Sequence, residues 1–285
     1  MIDVIIPVYR GLSETRRCLD SVLAASCAVP REIIVVDDAS PEPGIAEFVR
    51  SLAAARAVTL MANPRNRGFV YSVNAGMALH ADRDVLLLNS DTEVADGWLD
   101  RIVACAARDA GTGTVTPFSN NATICSYPDF AQRNDLPDGV TTRQLDRIFA
   151  EANAGEAVLI PTAVGFCMFI VRRCLATVGT FDEAAFELGY GEEVDFCMRA
   201  SRAGFRHWLC ADTFVFHEGE VSFGASGVDR RREAQRLVDE RYPEFQVAVR
   251  DFVARDPPRA LRERASARLA AVTGLRHDGV RAAAG

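Results

Sequence analysis

Val85-Leu86-Leu87-Leu88-Asn89-Ser90-Asp91 decides how this chain is read. Four apolar residues in unbroken succession read as a strand buried on both faces, and a polar triplet ending in an acid follows at once. In an α/β protein the ligand crevice lies outside the carboxyl ends of the strands, so an acid delivered there is placed to hold a metal or a nucleotide. A second run, Glu32 to Val36, stops at Asp37-Asp38-Ala39-Ser40-Pro41 and delivers two more acids at an equivalent position.

The flanking sequence alternates. Asp3-Val4-Ile5-Ile6-Pro7-Val8-Tyr9 reads as a strand, and Ser13 to Ala25 has apolar residues at helical spacing behind a Ser N-cap, with Glu14 in the first turn. Ile45 to Ala54 reads as a helix and Val58 to Met61 as a strand. Asn66-Arg67-Gly68-Phe69 opens a helix to about Leu79, and Asp84 to Leu88 is the fourth strand. Strands alternating with helices imply a mostly parallel, Rossmann-like sheet with right-handed crossovers. Beyond a helix at Trp98 to Ala107 the pattern loosens. Residues 111–140, rich in Gly, Thr, Ser, Asn, Asp and Pro, read as irregular loop on the rim of a site. Ala163 to Arg172 is strand-like, Glu193 to Ala203 helical, His207 to Phe216 contains a strand, and Asp229 to Glu240 is a charged helix.

Composition bounds the answer. With 285 residues, 49% of them hydrophobic, the chain can bury a substantial core, as one large α/β domain or two small ones. It has no apolar run long enough to span a bilayer. Asp3 and Pro7 break the pattern of a signal peptide, so a soluble, cytoplasmic protein is expected. The eight Cys form no C-x-x-C pair and read as reduced, mostly buried thiols. All 32 basic residues are Arg, which excludes a Schiff-base lysine and a Walker-type lysine, so phosphate charge falls to metal, Arg or backbone N–H. Of the net charge of −7, residues 255–285 contribute seven Arg against three acids, and the acidic remainder excludes a nucleic-acid surface. That basic tail places Leu261, Ala265, Leu269, Val272 and Leu275 at helical spacing with Arg259, Arg262, Arg264 and Arg268 around them. Such a helix suits peripheral contact with an anionic membrane at the inner face; packing on the body, oligomerisation or an adjoining domain are the alternatives.

Taken in order, Ile5-Ile6-Pro7-Val8-Tyr9, Val35-Val36-Asp37-Asp38-Ala39-Ser40, Asn66-Arg67-Gly68-Phe69 with Asn74-Ala75-Gly76, Leu88-Asn89-Ser90-Asp91-Thr92-Glu93, Gly191-Glu192-Glu193-Val194-Asp195-Phe196-Cys197 and His217 resemble the inverting, nucleotide-sugar-dependent glycosyltransferases of family 2, of the bacterial polysaccharide or O-antigen rhamnosyltransferase type. The resemblance covers about residues 2–225. It implies an α/β GT-A fold over 1–225, with a nucleotide-binding half at 1–110, an acceptor and catalytic half at 111–225, and a C-terminal helical extension at 226–285. It also implies a nucleotide-diphosphate sugar donor, a glycan or lipid-linked glycan acceptor, and a Mn²⁺ or Mg²⁺ cofactor.

By the same resemblance Pro7, Tyr9, Asp37 and Asp38 line the nucleoside pocket. Asn66, Arg67 and Gly68 approach the donor, although Gly68 serving a turn and Asn66 a cap is an equal reading. Asn89-Ser90-Asp91 stands at the family's Asp-x-Asp metal motif with Asn first, so Asp91 is the direct ligand and His217 a second. Glu193 is the general base, with Glu192 the alternative because the family more often carries Asp there. Gly165 gives the donor sugar room, and Phe186 and Tyr190 are available on the acceptor side. Asp195 and Arg199, four apart, read as an exposed ion pair. Arg230-Arg231-Arg232 reads as a solvated helix face or a clamp on the diphosphate. A sugar-phosphate nucleotidyltransferase and a non-catalytic glycan-binding module are the competing readings. The first lacks its Gly-rich loop and lysine in Ile5 to Ser13, and the second predicts loss of Asp91, Glu193 and His217, which are present.

Overall fold

The computed structural model describes residues 1–186, 189–219 and 227–274, with backbone only over 227–231. Its first half follows the alternation read from the sequence: β1 (Ile2–Val8), α1 (Leu12–Ala24), β2 (Arg31–Asp37), α2 (Pro43–Ala54), β3 (Thr59–Ala62), α3 (Phe69–Met77) and β4 (Asp84–Leu88). Next come β5 (Thr92–Glu93), α4 (Trp98–Ala107), β6 (Thr112–Phe118), α5 (Thr142–Ala152), β7 (Ala157–Ile160), β8 (Cys167–Ile170), α6 (Arg172–Val178), α7 (Glu183–Phe186) and α8 (Glu192–Arg202). The chain continues through β9 (Arg206–Phe214), β10 (Phe216–His217), α9 (Gly227–Arg241), α10 (Pro243–Arg255) and α11 (Arg259–Thr273).

Eight strands form one sheet in the order β3-β2-β1-β4-β8-β6-β9-β7, and β5 pairs with β10 in a separate two-stranded ribbon. β1 pairs in parallel with β2 and β4, while β8 runs antiparallel between β4 and β6. The strand order reverses between β1 and β4, which opens a crevice at their carboxyl ends. Helices cover both faces. Val4, Ile6 and Val8 of β1 face the core under α1, α2, α4, α5 and α11, whereas Ile5 faces the core under α3, α6 and α8. Pro7 interrupts a central strand at no hydrogen-bonding cost, because β4 pairs with β1 only as far as Ile5↔Leu87.

The segment 111–140, expected to be loop, contains β6, all seven of whose residues are buried between β8 and β9. Its polarity concealed it: Thr114 Oγ1 meets His207 Nδ1 at 2.7 Å and Thr116 Oγ1 accepts from Val164 N at 3.1 Å, so two of its three buried hydroxyls are satisfied, while Thr112 Oγ1 has no partner among the described residues. Pro117 is accommodated at a register irregularity in the β6–β9 pairing. The strand expected over Ala163 to Arg172 is confined to β8. Beyond Ile170 the chain turns into α6, where Arg172 N donates to Asp84 Oδ1 at 2.7 Å and its guanidinium to the Met77 carbonyl. Helices α5 and α10 and strand β7 carried no recognised signal.

The basic tail helix α11 lies on α5, burying Leu261, Ala265 and Leu269. Its cations are engaged as well: Arg268 with Glu151 at 2.6 Å, Arg264 with Glu156 at 3.3 Å, and buried Arg262 with Asp256 at 2.6 Å. Packing on the body is therefore what these contacts describe; Leu275 lies outside the described residues. No described helix is long and apolar enough to cross a membrane. The eight cysteines are free, and all but Cys27 are buried.

Gly76 shows how closely α3 sits on β1, since a Cβ there would lie 2.7 Å from Ile5 Cγ2. Gly76→Ala is expected to destabilise the fold by about 1–3 kcal/mol, read as a lowered urea midpoint at unchanged m-value. An unchanged midpoint would mean that α3 shifts freely.

Candidate active site

The site begins where β4 ends. Asn89 N donates to the Phe166 carbonyl at 2.8 Å, and Thr92 Oγ1 bonds back to the Asn89 carbonyl at 2.8 Å, which folds Asn89-Ser90-Asp91 into a fixed corner. The chain then enters β5, and the antiparallel register Glu93↔Phe216, Thr92↔His217 brings β10 against it. Glu218 N donates to the Asp91 carbonyl at 3.0 Å and Gly219 N to Asp91 Oδ2 at 3.0 Å. The result places His217 Nε2 3.4 Å from Asp91 Oδ1 and 3.4 Å from Asn89 Nδ2. Two residues 126 apart in sequence thus become neighbours through a ribbon of two pairs.

His217 is held from every side. Its Nδ1 lies 2.8 Å from the Asn121 carbonyl and its ring stacks on Phe166 at 5.2 Å. The Asn120 amide clamps its backbone: Oδ1 accepts from His217 N at 2.9 Å and Nδ2 donates to His217 O at 3.0 Å. A carbonyl accepts only an N–H, so Nδ1 carries the proton in the neutral ring and Nε2 presents its lone pair toward Asp91, the arrangement found in metal-binding histidines. Burial pulls the His217 pKa down, but the Asp91 carboxylate outweighs it and leaves the imidazole above its ordinary value. Burial raises Asp91, yet His217 and the Gly219 N–H reverse this and leave it below the usual carboxylate range. A carboxylate and an imidazole nitrogen converging in this way fit a divalent cation such as Mn²⁺. A second acidic group, Asp3, Glu32 and His80, sits at the opposite, amino end of the sheet, where Arg83 joins Asp3 at 3.0 Å and Glu32 at 2.6 Å. That group already has its cation.

Asp37 and Asp38, both buried, close the crevice on the β2 side. Asp37 Oδ1 accepts from Ser40 N at 2.9 Å. Asp38 Oδ1 accepts from Asn63 Nδ2 at 2.7 Å and Arg67 N at 2.8 Å, and its Oδ2 from Gly68 N at 2.8 Å. Asp38 is therefore the residue that satisfies the loop into α3, with Asn66 Oδ1 sharing the Gly68 N–H at 3.0 Å. Gly68 has φ +86, which its lack of a side chain permits. The backbone N–H groups of this loop are thus turned to Asp38, and the Arg67 side chain is what faces outward, 3.8 Å over the Tyr71 ring and 3.6 Å from Glu183. Pro7 and Tyr9, at the carboxyl end of β1, are half-buried, with Arg10 over the Tyr9 ring.

Across the crevice, α8 starts at Gly191 (φ +89) and presents Glu192 and Glu193 in its first turn. Glu192 is buried and Glu193 half-buried, and among the described residues neither Oε2 has a hydrogen-bond partner. Burial lifts the Glu192 carboxyl well above the usual range, and the neighbouring Glu193 charge adds to this. Burial raises Glu193 too, opposed by backbone N–H groups of the helix start. Gly165 faces Glu193: a Cβ there would lie 3.9 Å from Glu193 Cβ and Cγ. Gly165-Phe166 therefore separates the two carboxylates from the Asp91–His217 pair.

Two expectations need correction. Phe186 is buried, packed against Gly191 and beneath the Arg241 guanidinium, so it offers no face to an acceptor sugar. Tyr190 is half-exposed in a left-handed conformation (φ +72), an uncommon backbone for a bulky residue. Asp195 is not in an exposed ion pair; it is fully buried and binds Arg241 and Tyr242 as well as Arg199. Glu220 and the side chains of Arg230 and Arg231 lie outside the described residues. The sequence reading missed Asn120, Asn121 and Phe166, for which no periodic signal exists, and Glu218, which meets Arg17 at 3.0 Å and Arg133 at 3.8 Å next to His217.

Residues 3–178 match the family model for glycosyl transferase family 2, more than half of the chain, and the chain belongs to that family. Its fold is GT-A. The mannosyltransferase PcManGT from Pyrobaculum calidifontis, solved in complex with GDP-Man and Mn²⁺, superposes with a TM-score of 0.59 at 17% identity, covering 97% of this chain and 76% of that one. At such identity the likeness concerns fold alone. Among curated relatives, the glycosyltransferase AglE of Haloferax volcanii is 24% identical over 218 residues, 76% of this chain and 66% of AglE. An uncharacterized protein of Sinorhizobium fredii, y4gI, is 24% identical over 251 residues, 84% of this chain but 27% of that protein. The chain thus spans about a quarter of one relative and just under two thirds of the other.

The Glu192 environment has a measurable consequence. An unfolded glutamate ionises near 4.5 and folded Glu192 holds its proton to higher pH, so folding takes up a proton in that window and stability falls as pH rises through it. Glu192→Gln removes this penalty, and its stability relative to wild type is expected to grow as the pH is raised above the unfolded glutamate's 4.5 in urea unfolding. A variant that loses ground to wild type over that rise would contradict the assignment.

Proposed function

We propose that the chain is an inverting glycosyltransferase that moves a hexosyl or deoxyhexosyl group from a nucleoside-diphosphate sugar to a hydroxyl of a glycan or lipid-linked glycan, in the synthesis of a bacterial surface polysaccharide such as O-antigen. The observation that carries the reading is the pairing of Asp91 with a tautomer-fixed His217 on one side of Gly165-Phe166 and, on the other, a half-buried Glu193 whose Oε2 has no hydrogen-bond partner. Family membership and the GT-A fold support it, as does the nucleotide-sugar and Mn²⁺ complex of a similarly folded mannosyltransferase.

In this reading Asp91 and His217 hold a divalent cation, Mn²⁺ or Mg²⁺, which when bound supplies charge to offset the diphosphate leaving group. With no lysine in the chain, that charge has few substitutes. Asp37, Pro7 and Tyr9 border the nucleoside, and Arg67 and Asn89-Ser90 border the rest of the donor. Gly165 leaves room for the sugar. Glu193 takes the proton from the acceptor hydroxyl as its oxygen forms a bond to the anomeric carbon, while the bond to the departing nucleoside diphosphate breaks on the opposite face. Its raised pKa makes it a stronger base than an exposed glutamate, and Glu192, more deeply buried, keeps a proton beside it. Tyr190 remains on the acceptor side. Work at the cytoplasmic face of a membrane accords with this substrate class.

The test is turnover on a panel of UDP-, dTDP- and GDP-sugars with Mn²⁺, Mg²⁺ or chelator, with the product anomer read by NMR. Metal-dependent transfer with inversion is expected, lost by about 10²–10⁴-fold in Glu193→Gln while donor-induced thermal stabilisation survives. Retention of configuration, or full turnover by Glu193→Gln, would overturn the mechanism.

A further inference from the structure

Asp195 lies in the first turns of α8, one turn beyond Glu192, and is fully buried. A buried carboxylate is costly unless its charge and lone pairs are met. Here both are met, by Arg199 on the same helix and by the adjacent Arg241 and Tyr242 far along the chain. Oδ2 accepts from Arg199 Nε at 2.8 Å; Oδ1 accepts from Arg241 Nη1 at 2.8 Å and from Tyr242 OH at 2.7 Å. Arg199 also donates to the carbonyls of Val178 and Thr180, and Arg241 also donates to Asp182 Oδ2 at 2.9 Å. Two acids and two guanidiniums thus form a charge-balanced quartet, linked in the order Arg199–Asp195–Arg241–Asp182.

The quartet ties three pieces to the helix that bears the two glutamates. The first is the segment 178–182, reached through Val178, Thr180 and Asp182. From the other side Asn74 holds the same segment, donating to the Phe181 carbonyl at 2.9 Å and accepting from Phe181 N at 3.1 Å. The second is α7, whose Phe186 lies under Arg241. The third is the junction of α9 and α10 at Arg241–Tyr242. These pieces pack closely on the start of α8: a Cβ at Gly191 would lie 3.0 Å from Phe186 Cε1 and 3.1 Å from Val238 Cγ2. Asp195 N bonds to the Gly191 carbonyl at 2.9 Å, passing that constraint directly to the residue before Glu192.

We infer that Asp195 is a positioning residue: through Arg199, Arg241 and Tyr242 it locks the Glu192–Glu193 helix start and residues 178–186 and 189–191 into one unit. This rests on the reading of Glu193 as the base. Asp91, His217 and Asp38 share no hydrogen bond with the quartet among the described residues, and the links toward the donor side run instead through Asn74 to Phe181 and the partly exposed Arg67–Glu183 pair at 3.6 Å, so the donor site should respond much less than the helix start.

The test uses the full chain with Asp195→Asn, Arg241→Lys and Tyr242→Phe, the last two as milder lesions should the first not fold. Expected for Asp195→Asn is a kcat lower by about 10- to 100-fold with the donor KM unchanged within about twofold and the acceptor KM raised, Tyr242→Phe and Arg241→Lys falling between it and wild type. Hydrogen exchange should quicken in peptides covering 178–186 and 189–196 and stay unchanged in β1, β2 and β4. Wild-type kcat in the folded variants, or loss of protection and donor affinity throughout the chain together, would overturn the inference. If the wild type transfers no sugar, the proposed function fails, and the exchange pattern alone decides on the lock.

Discussion

The site depends on one short pairing, β5 with β10. Two residue pairs, Thr92↔His217 and Glu93↔Phe216, carry the chain from the far end of the sequence back to the end of β4. Without them Asp91 would be an isolated acid at a strand end and His217 a residue in a distant segment. Such a ribbon is too small to stand alone. It is supported by Gly219 N and Glu218 N on Asp91, by the Asn120 amide on the His217 backbone, and by Phe166 beneath the ring. The central sheet provides the rigid edge, and the ribbon sets the geometry of the candidate metal pair upon it.

The two halves of the site are built on different physics. On the donor side, Asp38 spends its carboxylate on backbone N–H groups of the 66–68 loop, and β1, β2 and β4 end side by side, so the wall of the crevice is main chain held by hydrogen bonds. The opposite wall is a helix start with two carboxylates that lack hydrogen-bond partners at Oε2, held by packing at Gly191 and by buried charge at Asp195. Leaving buried carboxylates partly unsatisfied costs stability. Burial raises both carboxyls there, which in the proposed mechanism suits Glu193 as the proton acceptor.

What could be read from sequence followed from burial pattern. In residues 1–88 each strand is an apolar run closed by a turn signal and each helix an amphipathic stretch, so the elements and their parallel order were legible. Past residue 110 the signal fails for identifiable reasons. β6 is a core strand written in threonine, glycine and proline, and the hydroxyls of Thr114 and Thr116 find partners in His207 and Val164 that only the fold supplies. Asp91, Glu193 and His217 were named because acids and a histidine stand at element ends in a known order. The residues that hold them, Asn120 and Phe166, were not, because their role lies in what they touch. Asp195 misled for a related reason: an acid four residues before an arginine looks the same on a solvated helix as in a buried quartet, and only Arg241 and Tyr242, more than forty residues on, tell the two apart.

The most direct test of the account is the nitrogen environment of bound Mn²⁺. Electron spin-echo measurements on the protein with Mn²⁺ and a nucleoside diphosphate are expected to show one directly coordinated imidazole nitrogen that disappears in His217→Ala, with Mn²⁺ affinity falling in Asp91→Asn. Mn²⁺ bound with no nitrogen coupling, or with a coupling that survives His217→Ala, would contradict the claim that the β5–β10 ribbon exists to bring these two residues to one cation.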